Sequence, residues 1–470
     1  MNQYQPSVQR KGGYKEVITI ALPLILSTGA WTLQYFIDRM FLAWYSPQAI
    51  AAAMPAGMFC FTIMSLFLGT AGYSSTFVAQ YFGASRNDRI GPSVWQGIYV
   101  AIIGGLVLGL FIPIARPLFH LAGHAPDVQE LEVIYFQILT LGSFPVIACS
   151  ALGGFFSGRG RPWPIMWISS VGTVINLVLD YTMIFGKWGF PEMGIKGAGI
   201  ATVISSYVSL AIYLGLEFRD PYERLYSTVS GWRFDCDLFS RLVRYGLPSG
   251  VEFFLDIGAF SMFILIVGRL GTMELASTNI AFNINNLAFM PMIGFGMAVS
   301  VLVGKYLGMD RPDIAERSVY SGFKLTFVYM LFVAIAYVLV PDVFIMPFTL
   351  KADATRFKEI HDITVVLLRF VALYSIFDTM NIIFASAIKG AGDTKYIMIM
   401  ILVLSLALLV IPVYIGVVLL HKGIYIAWSF ATLYVIVLGI SFLMRFRGGR
   451  WRGMRVIRET PEILPPSGLI

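Results

Sequence analysis

The stretch VAQYFGASRNDR (78–89) occurs a second time, in altered form, as VGKYLGMDRPDI (303–314). An offset of 225 residues brings identical residues into register, namely Tyr81 with Tyr306, Gly83 with Gly308 and Arg86 with Arg311. The same offset superposes the Leu-Pro pairs at 22–23 and 247–248. Self-similarity at a fixed distance is the mark of a repeated structural unit. The sequence therefore predicts two related halves.

Long apolar runs fill both halves. Of the 470 residues, 57% are hydrophobic and only 13% are charged, whereas about a quarter of the residues of a soluble domain are charged. A membrane-spanning helix needs roughly 20 apolar residues. Twelve runs meet this length, near 16–45, 49–82, 94–118, 130–157, 163–186, 195–218, 240–269, 274–307, 317–341, 362–388, 395–420 and 423–445. We expect an all-α integral membrane protein with twelve transmembrane helices.

The duplication sets the arrangement of these helices. Six spans are an even number, so both halves enter the membrane from the same side, as a parallel repeat. Repeated bundles of this kind enclose a central cavity in secondary transporters, although a duplicated scaffold without transport is an alternative. The predicted organisation is an N-terminal segment (1–15), an N-terminal lobe (16–218), a linker (219–239), a C-terminal lobe (240–445) and a basic tail (446–470).

Arginine and lysine are concentrated in the loops on one side of this arrangement. They precede the first span, follow the second and fourth spans, surround the connection between the sixth and seventh spans and close the chain, as at Arg86, Arg159, Arg224, Arg241 and Arg452. The positive-inside rule places this side, and with it both termini, in the cytoplasm. Lys351, Arg356 and Lys358 are exceptions on the opposite side. We interpret the net charge of +7 as a sign of membrane orientation and of contact with lipid head groups, and not as a sign of nucleic-acid binding.

Ionisable residues inside the spans are costly and point to function. The polar candidates are Asp38, Asn176, Asp180, Glu252, Asp256 and Asp378. The acids do not follow the repeat, because Asp38 plus 225 is Phe263 and Asp256 minus 225 is Trp31. If these acids served only to pack the scaffold, they would occur at equivalent positions in both halves. We therefore expect a separate polar site in each half.

The spacing of these residues indicates oxygen-rich sites. Asn176 and Asp180 are four positions apart, as are Glu252 with Asp256 and Tyr374 with Asp378, so each pair shares a helix face. Carboxylate, amide and hydroxyl oxygens suit Na⁺ or a proton and do not suit soft metals. No His-Glu metal motif, nucleophile–base pair or phosphate loop is embedded in the spans. An intramembrane enzyme is therefore disfavoured.

Several stretches resemble the multidrug and toxic compound extrusion (MATE) family, in its NorM-like branch. They include ALPLILSTGAWTLQYFIDRMFLAWYS (21–46), GLPSGVEFFLDIGAF (246–260) and YSIFDTMNIIFASAIKGAGDT (374–394). The resemblance implies two six-helix lobes in a V around a cavity, and export of small lipophilic, mostly cationic compounds in exchange for Na⁺ or H⁺. It implies no cofactor beyond that ion. The expected setting is the bacterial cytoplasmic (inner) membrane, with a monomeric chain among membrane lipids.

The resemblance also assigns residues to two cation sites. The first-lobe site falls on Asp38, Asn176 and Asp180, with Thr202 a weaker match. The second-lobe site falls on Asp256, Tyr374 and Asp378, and Na⁺ is a possible ligand of either site.

Three residues depart from the family pattern. Asp256 is shorter than the expected glutamate, and Glu252, which can reach the same site, is unexpected. Arg39, beside Asp38, is unexpected too. Because both lobes carry acids, the coupling lobe stays open. A lipid-linked oligosaccharide flippase of the same superfamily is the alternative function, but its cavity would need cations for pyrophosphate.

Overall fold

Twelve long helices make up most of the part of the chain that the structure describes. The structure, a computed structural model, describes residues 11–120, 124–349 and 354–458. Within these ranges the helices long and apolar enough to span a membrane, numbered spans 1 to 12, are Tyr14–Tyr45, Pro47–Gly83, Asn87–Gly109, Pro126–Gly158, Trp163–Phe185, Ile195–Glu217, Cys236–Val267, Thr272–Gly308, Pro312–Leu339, Phe357–Ala391, Thr394–Leu419 and Ile424–Arg447. The predicted all-α fold class is confirmed. Residues 1–10 of the predicted N-terminal segment, residues 459–470 of the predicted tail and Lys351 lie outside the described residues.

The predicted boundaries agree with the observed ones to within five residues except at span 3. That span was expected at 94–118, but the helix runs from Asn87 to Gly109 and a separate short helix, Ala115–His120, follows. Pro113 lies between the two helices. Proline lacks a backbone N–H and its ring clashes with the preceding turn, so it ends the span that hydropathy alone extends.

The segment between the halves is folded against the first half. It contains a short helix, Asp220–Tyr226, whose Tyr222 and Tyr226 rings lie 4.7 and 4.8 Å from the buried guanidinium of Arg159. Backbone N–H groups of Val229 and Ser230 donate to the Glu223 carboxylate and lower its pKa. Span 7 begins at Cys236, so the predicted linker 219–239 is longer than the connection seen between the two helices.

The two halves meet at one end of the bundle. We call it the basic end; it comprises the connections 84–86, 159–162, 218–235 and 309–311 and the segment 448–458. A Cβ added to Gly83 would lie 2.0 Å from the carbonyl oxygen of Lys305, and one added to Gly308 would lie 2.1 Å from that of Gln80. These residues are themselves pairs at the offset of 225. The crossing of spans 2 and 8 is thus pseudo-symmetric, and only glycine permits it.

Gln80 joins both halves to the end of the chain. Its side chain is fully buried; Nε2 donates to the Gly390 carbonyl at 3.1 Å and Oε1 accepts from the Val456 N–H at 2.8 Å. Nearby, the Tyr73 hydroxyl donates to the Lys389 carbonyl at 2.8 Å. Ion pairs fix the same terminal segment, with 2.7 Å separations in Arg452–Glu316, Arg455–Asp310 and Arg458–Asp237. The segment 448–458, the C-terminal strap, therefore crosses the basic end.

We infer a cavity that lies between the halves and opens away from the basic end. About midway along spans 2 and 7, the rings of Phe61 and Phe253, one from each half, are 6.0 Å apart. Beyond them span 8 exposes Asn279, Asn283 and Asn286, which share one face at helical spacing. Three amides are costly against lipid, where nothing can hydrogen-bond them. This face accordingly lines a water-accessible space.

Candidate cation sites

The first polar cluster draws on three spans of the first half. Asp38 comes from span 1, Asn176 and Asp180 from span 5, and Thr202 from span 6. Asp38 is 7% exposed, while Asn176 and Asp180 are fully buried. The Asn176 amide donates to the Thr202 hydroxyl at 3.4 Å, and the carboxylates of Asp38 and Asp180 interact electrostatically. The structure thus groups all four residues that the sequence assigned to this site.

Unpartnered oxygens distinguish this cluster from an ordinary packing contact. Within the described residues, Oδ1 of Asp38, Oδ1 of Asn176 and both carboxylate oxygens of Asp180 are buried and have no hydrogen-bond partner. Buried polar atoms are otherwise almost always paired, because an unpaired one carries the full cost of desolvation. A set of convergent carboxylate and amide oxygens fits a proton or a hard cation such as Na⁺.

Tyr135, on span 4, is a member of the cluster that the sequence did not reveal. Its hydroxyl donates to Oδ2 of Asp38 at 3.5 Å, and its ring is 5% exposed. A phenol can donate to an ionised carboxylate and can also act as an oxygen ligand. Tyr135 lies in an apolar run with no acid at helical spacing except Glu132, so no local pattern marks it.

The second polar cluster joins spans 7, 10 and 12. Asp256 interacts electrostatically with Asp378 and with Glu252, and the fields of all three acids reach Tyr434 of span 12. Asp378 and Tyr374 are 7% and 6% exposed. The structure therefore brings acids from two distant spans within electrostatic range of each other.

Two details of this cluster differ from the pattern expected from spacing. Asn381 donates to Asp378 Oδ1 at 2.9 Å, and within the described residues no hydrogen bond joins Tyr374 to Asp378. The Tyr434 hydroxyl is buried and also lacks a partner among those residues. Asn381 is three positions after Asp378, so helical spacing could have revealed it. Tyr434 sits in an apolar run and could not be identified in this way.

Glu252 is paired and is not a free ligand. Its carboxylate lies 2.7 Å from the Lys389 ammonium of span 10. The positive charge of Lys389 also acts on Asp256. Lys389 lies in the stretch 374–394 that resembles the MATE family, but neither its spacing nor the resemblance assigns it a role. Asp256 thus has a built-in cation close by, which offsets part of the repulsion from Asp378 and Glu252.

The fold and the two polar clusters define a duplicated, twelve-span membrane protein with a polar site in each half. The MatE family model matches residues 23–182 and 248–415, one match for each half. The protein named "Probable multidrug resistance protein NorM" of Pseudomonas putida is 30% identical over 383 residues, covering 81% of this chain and 82% of that protein. The protein of the same name from Thermotoga maritima is 25% identical over 445 residues, 94% of each chain. The chain belongs to the MatE family.

Further relatives agree with this assignment. "Multidrug resistance protein PmpM" of Pseudomonas aeruginosa is 29% identical over 394 residues, 83% of this chain and 80% of that one. A solved outward-facing multidrug resistance MATE family transporter of the MOP superfamily superposes with a TM-score of 0.85 at 20% identity. It covers 96% of this chain and 99% of its own. At that identity the superposition shows the shared fold alone.

Proposed function

We propose that the protein is a secondary active efflux transporter that exports lipophilic, mostly cationic drugs or toxic compounds in exchange for Na⁺ or H⁺. The observation that carries this proposal is the set of buried, unpartnered oxygens of Asp38, Asn176 and Asp180, beside a cavity between two halves. A cation or proton is the partner that such oxygens lack. The multidrug resistance proteins among the relatives support the same reading.

Coupling follows from differential stabilisation of two states. In the state described here, the halves are held together at the basic end by Gln80, the Gly83–Gly308 crossing and the C-terminal strap. An ion that binds one state of the cavity more tightly than the other shifts the equilibrium between them. The ion and the substrate then occupy the cavity in turn, and each is released on the opposite side of the membrane from the other.

The acids also favour a positively charged cargo. Asp38, Asp180, Asp256 and Asp378 place four carboxylates in spans around the cavity. A lipophilic cation can pair with a carboxylate while its apolar body contacts rings such as Phe61 and Phe253. An organic cation and the coupling ion then compete for negative charge, as exchange requires.

The proposed orientation places the basic end in the cytoplasm, with both termini there, in the inner membrane of a bacterium. Arg86, Arg161, Arg219, Arg311 and Arg447 lie at or beside this end, in agreement with the positive-inside rule. The cavity then faces the outside. We propose a monomer, with lipids and small lipophilic cations as its partners and no nucleic acid.

The test is dye efflux from proteoliposomes under Na⁺ and H⁺ gradients imposed one at a time. We expect concentrative transport of ethidium under at least one gradient, and its loss when that gradient is collapsed. Movement that only equalises the dye concentration would indicate a passive channel. Absence of ethidium transport under both gradients, together with scrambling of a fluorescent lipid-linked oligosaccharide, would favour the flippase.

A further inference from the structure

The segment that follows the sixth span of each half has a different destination in the two halves. After span 6, the linker packs on its own half: the Trp95 indole N–H of span 3 donates to the Thr228 carbonyl at 2.7 Å. A Cβ added to Gly91, also in span 3, would lie far inside van der Waals contact of the Ser227 carbonyl oxygen. After span 12, the C-terminal strap instead reaches across to the first half. The scaffold is repeated, but these two segments are not.

The first part of the strap is fixed to the second half. The Trp451 ring is 1% exposed and stacks on the Phe446 ring of span 12, with the centroids 4.9 Å apart. The Trp451 indole N–H donates to the Phe446 carbonyl at 2.9 Å, and Arg452 pairs with Glu316 of span 9. These contacts lie within one half, so they do not depend on how the two halves are arranged. We call residues 448–455 the base of the strap.

The remaining residues of the strap, 456–458, lie against the first half, and we call them the tip. Val456 is 2% exposed and shares an apolar cluster with Tyr73 and Phe77 of span 2. Its N–H donates to the fully buried side chain of Gln80 at 2.8 Å. A buried hydrogen bond and a buried apolar side chain thus join the tip to span 2.

The second half also contacts the tip, which therefore fills the gap between the halves. Arg241 of span 7 donates to the Val456 carbonyl at 3.2 Å, and a Cβ added to Gly392 would lie 2.9 Å from Val456 Cγ1. From the first half, Arg86 donates to the Arg458 carbonyl at 2.7 Å. The tip cannot keep both sets of contacts when the halves move apart. Because the base belongs to the second half, the contacts with the first half are the ones that break.

We propose that the strap is a latch with a detachable tip, which binds the first half while the basic end is closed and leaves it when the basic end opens. The inference rests on the alternating cavity of the proposed function and assigns a regulator of that alternation. A contact made in only one of two states shifts their equilibrium by its own free energy. The tip therefore sets the population of the state with an open basic end, whereas the base, bound in both states, does not.

The test uses three reporter cysteines, each placed in a full-length chain without native cysteines and labelled with a maleimide in the absence of substrate. Two lie between the halves: Ala79→Cys, against Gly304, and Val17→Cys, on span 1 near Gly322 of span 9. The third, Ala151→Cys, is fully buried inside the first half. Opening of the basic end exposes the first two positions, while general loosening of the fold also exposes the third.

Val456→Ala shortens the tip by two buried carbons. We expect it to speed the labelling of both positions between the halves about tenfold and to leave Ala151→Cys within about twofold of the unmodified chain. Arg86→Gln, which removes one hydrogen bond to the tip without touching the core, should give about fivefold in the same direction.

Two control variants should leave all three labelling rates within about twofold. Val229→Ala makes the same change at a 43% exposed position of the linker. Arg452→Gln breaks the ion pair with Glu316 inside the second half, and Trp451 still holds the base. A tenfold acceleration by Arg452→Gln would show that base and tip act alike, which would overturn the latch.

The pattern across the reporters decides the outcome for Val456→Ala. Faster labelling of all three cysteines would show that the strap only stabilises the fold, and faster labelling of Ala79→Cys alone would show local uncovering; either result would overturn the latch, as would unchanged rates. Ethidium efflux is measured separately. A chain that exports no ethidium but shows the two selective accelerations would overturn the efflux function and support a latch between two states.

Discussion

Glu16 and Arg241 occupy equivalent positions in the two halves, 225 residues apart, and each reaches a tyrosine of the opposite half. The Tyr306 hydroxyl donates to Glu16 at 2.7 Å, and Arg241 donates to the Tyr81 hydroxyl at 3.3 Å. Tyr81 and Tyr306 are likewise 225 apart. One reciprocal contact is thus built twice with opposite charges. Because this contact occurs on both sides of the pseudo-symmetry axis, it holds the two halves together at both sides of the basic end.

Loss of the Glu16 carboxylate should loosen this closure. The Glu16 carboxylate also pairs with the Lys305 ammonium at 3.1 Å and accepts a hydrogen bond from the Gly12 N–H at 2.8 Å. Replacing the carboxylate with an amide weakens all three contacts, by about 1–3 kcal/mol in total for charge-assisted bonds. Ala79 is fully buried between the halves, against Gly304. A cysteine at this position, Ala79→Cys in a chain without native cysteines, therefore reports on opening of the basic end. We expect a maleimide to label this cysteine faster when Glu16→Gln is also present. Asp313→Asn removes an exposed acid at the same end and should leave the labelling rate unchanged; equal acceleration in both variants would contradict the closure.

Enlarging the two crossing glycines should force the halves apart. Gly83→Ala or Gly308→Ala places a methyl group about 2 Å from a carbonyl oxygen of the other half, far inside van der Waals contact. We expect each variant to lower the melting temperature of the purified protein and to slow efflux. Gly258→Ala is the matched control, since nothing lies within 4 Å of its added Cβ and alanine favours a helix over glycine. A Gly308→Ala protein as stable as Gly258→Ala would show that the crossing tolerates a side chain.

Asp180→Asn keeps the shape of the first-half cluster but removes its most buried charge. We expect a folded protein without ion-driven efflux, because an amide cannot take up a proton and binds Na⁺ poorly. Ethidium efflux and thermal melting should be measured together. Asp88→Asn changes an acid in the first turn of span 3 and serves as the control. Wild-type efflux by Asp180→Asn would assign this residue to packing and leave coupling to the second half.

Asp256 and Asp378 should behave as one unit if they share an ion. Removing either carboxylate then costs nearly as much activity as removing both, because groups that act together are not additive. The measurement is a cycle of Asp256→Asn, Asp378→Asn and the double variant in ion-driven efflux. Two mild defects that simply add would instead describe two separate structural groups.

The Glu252–Lys389 pair should be asymmetric. Its side chains are 17% and 28% exposed, so leaving one partner alone costs about 2 kcal/mol, less than in a fully buried pair. Lys389→Gln should lower the melting temperature more than Glu252→Gln, because Lys389 also offsets Asp256. The double variant should recover part of the loss. Equal decreases in melting temperature for the two single variants would mean that Lys389 stabilises Glu252 alone. Single variants of the exposed pair Arg311–Asp313 provide the control.

Much of the fold was accessible from the sequence because lipid imposes simple rules. Apolar runs of sufficient length and one constant offset predict twelve spans in two parallel halves. Span 3 was misplaced because hydropathy does not register the break at Pro113. The extent of the strap was not predicted either. A basic tail indicates only which side of the membrane it lies on, and its ion pairs with Asp237, Asp310 and Glu316 depend on the packing of distant helices.

The sites were accessible only in part, and for a related reason. A carboxylate in an apolar run stands out, so Asp38, Asp180, Asp256 and Asp378 were found directly. Tyr135 and Tyr434 are aromatic residues among many others, and only the crossing of helices brings them to an acid. The pairing of Glu252 with Lys389 spans 137 residues, and no local spacing contains it.

The separation of the acids into two clusters, one in each half, has an electrical consequence. Loading both clusters with one monovalent ion each, in exchange for one monovalent organic cation, moves one net elementary charge across the membrane per cycle. Loading a single cluster moves none. One charge crossing a potential of 100 mV corresponds to about 2.3 kcal/mol, or roughly a fiftyfold steeper substrate gradient at equilibrium. Under the proposed exchange, the number of occupied clusters therefore decides whether membrane voltage drives export.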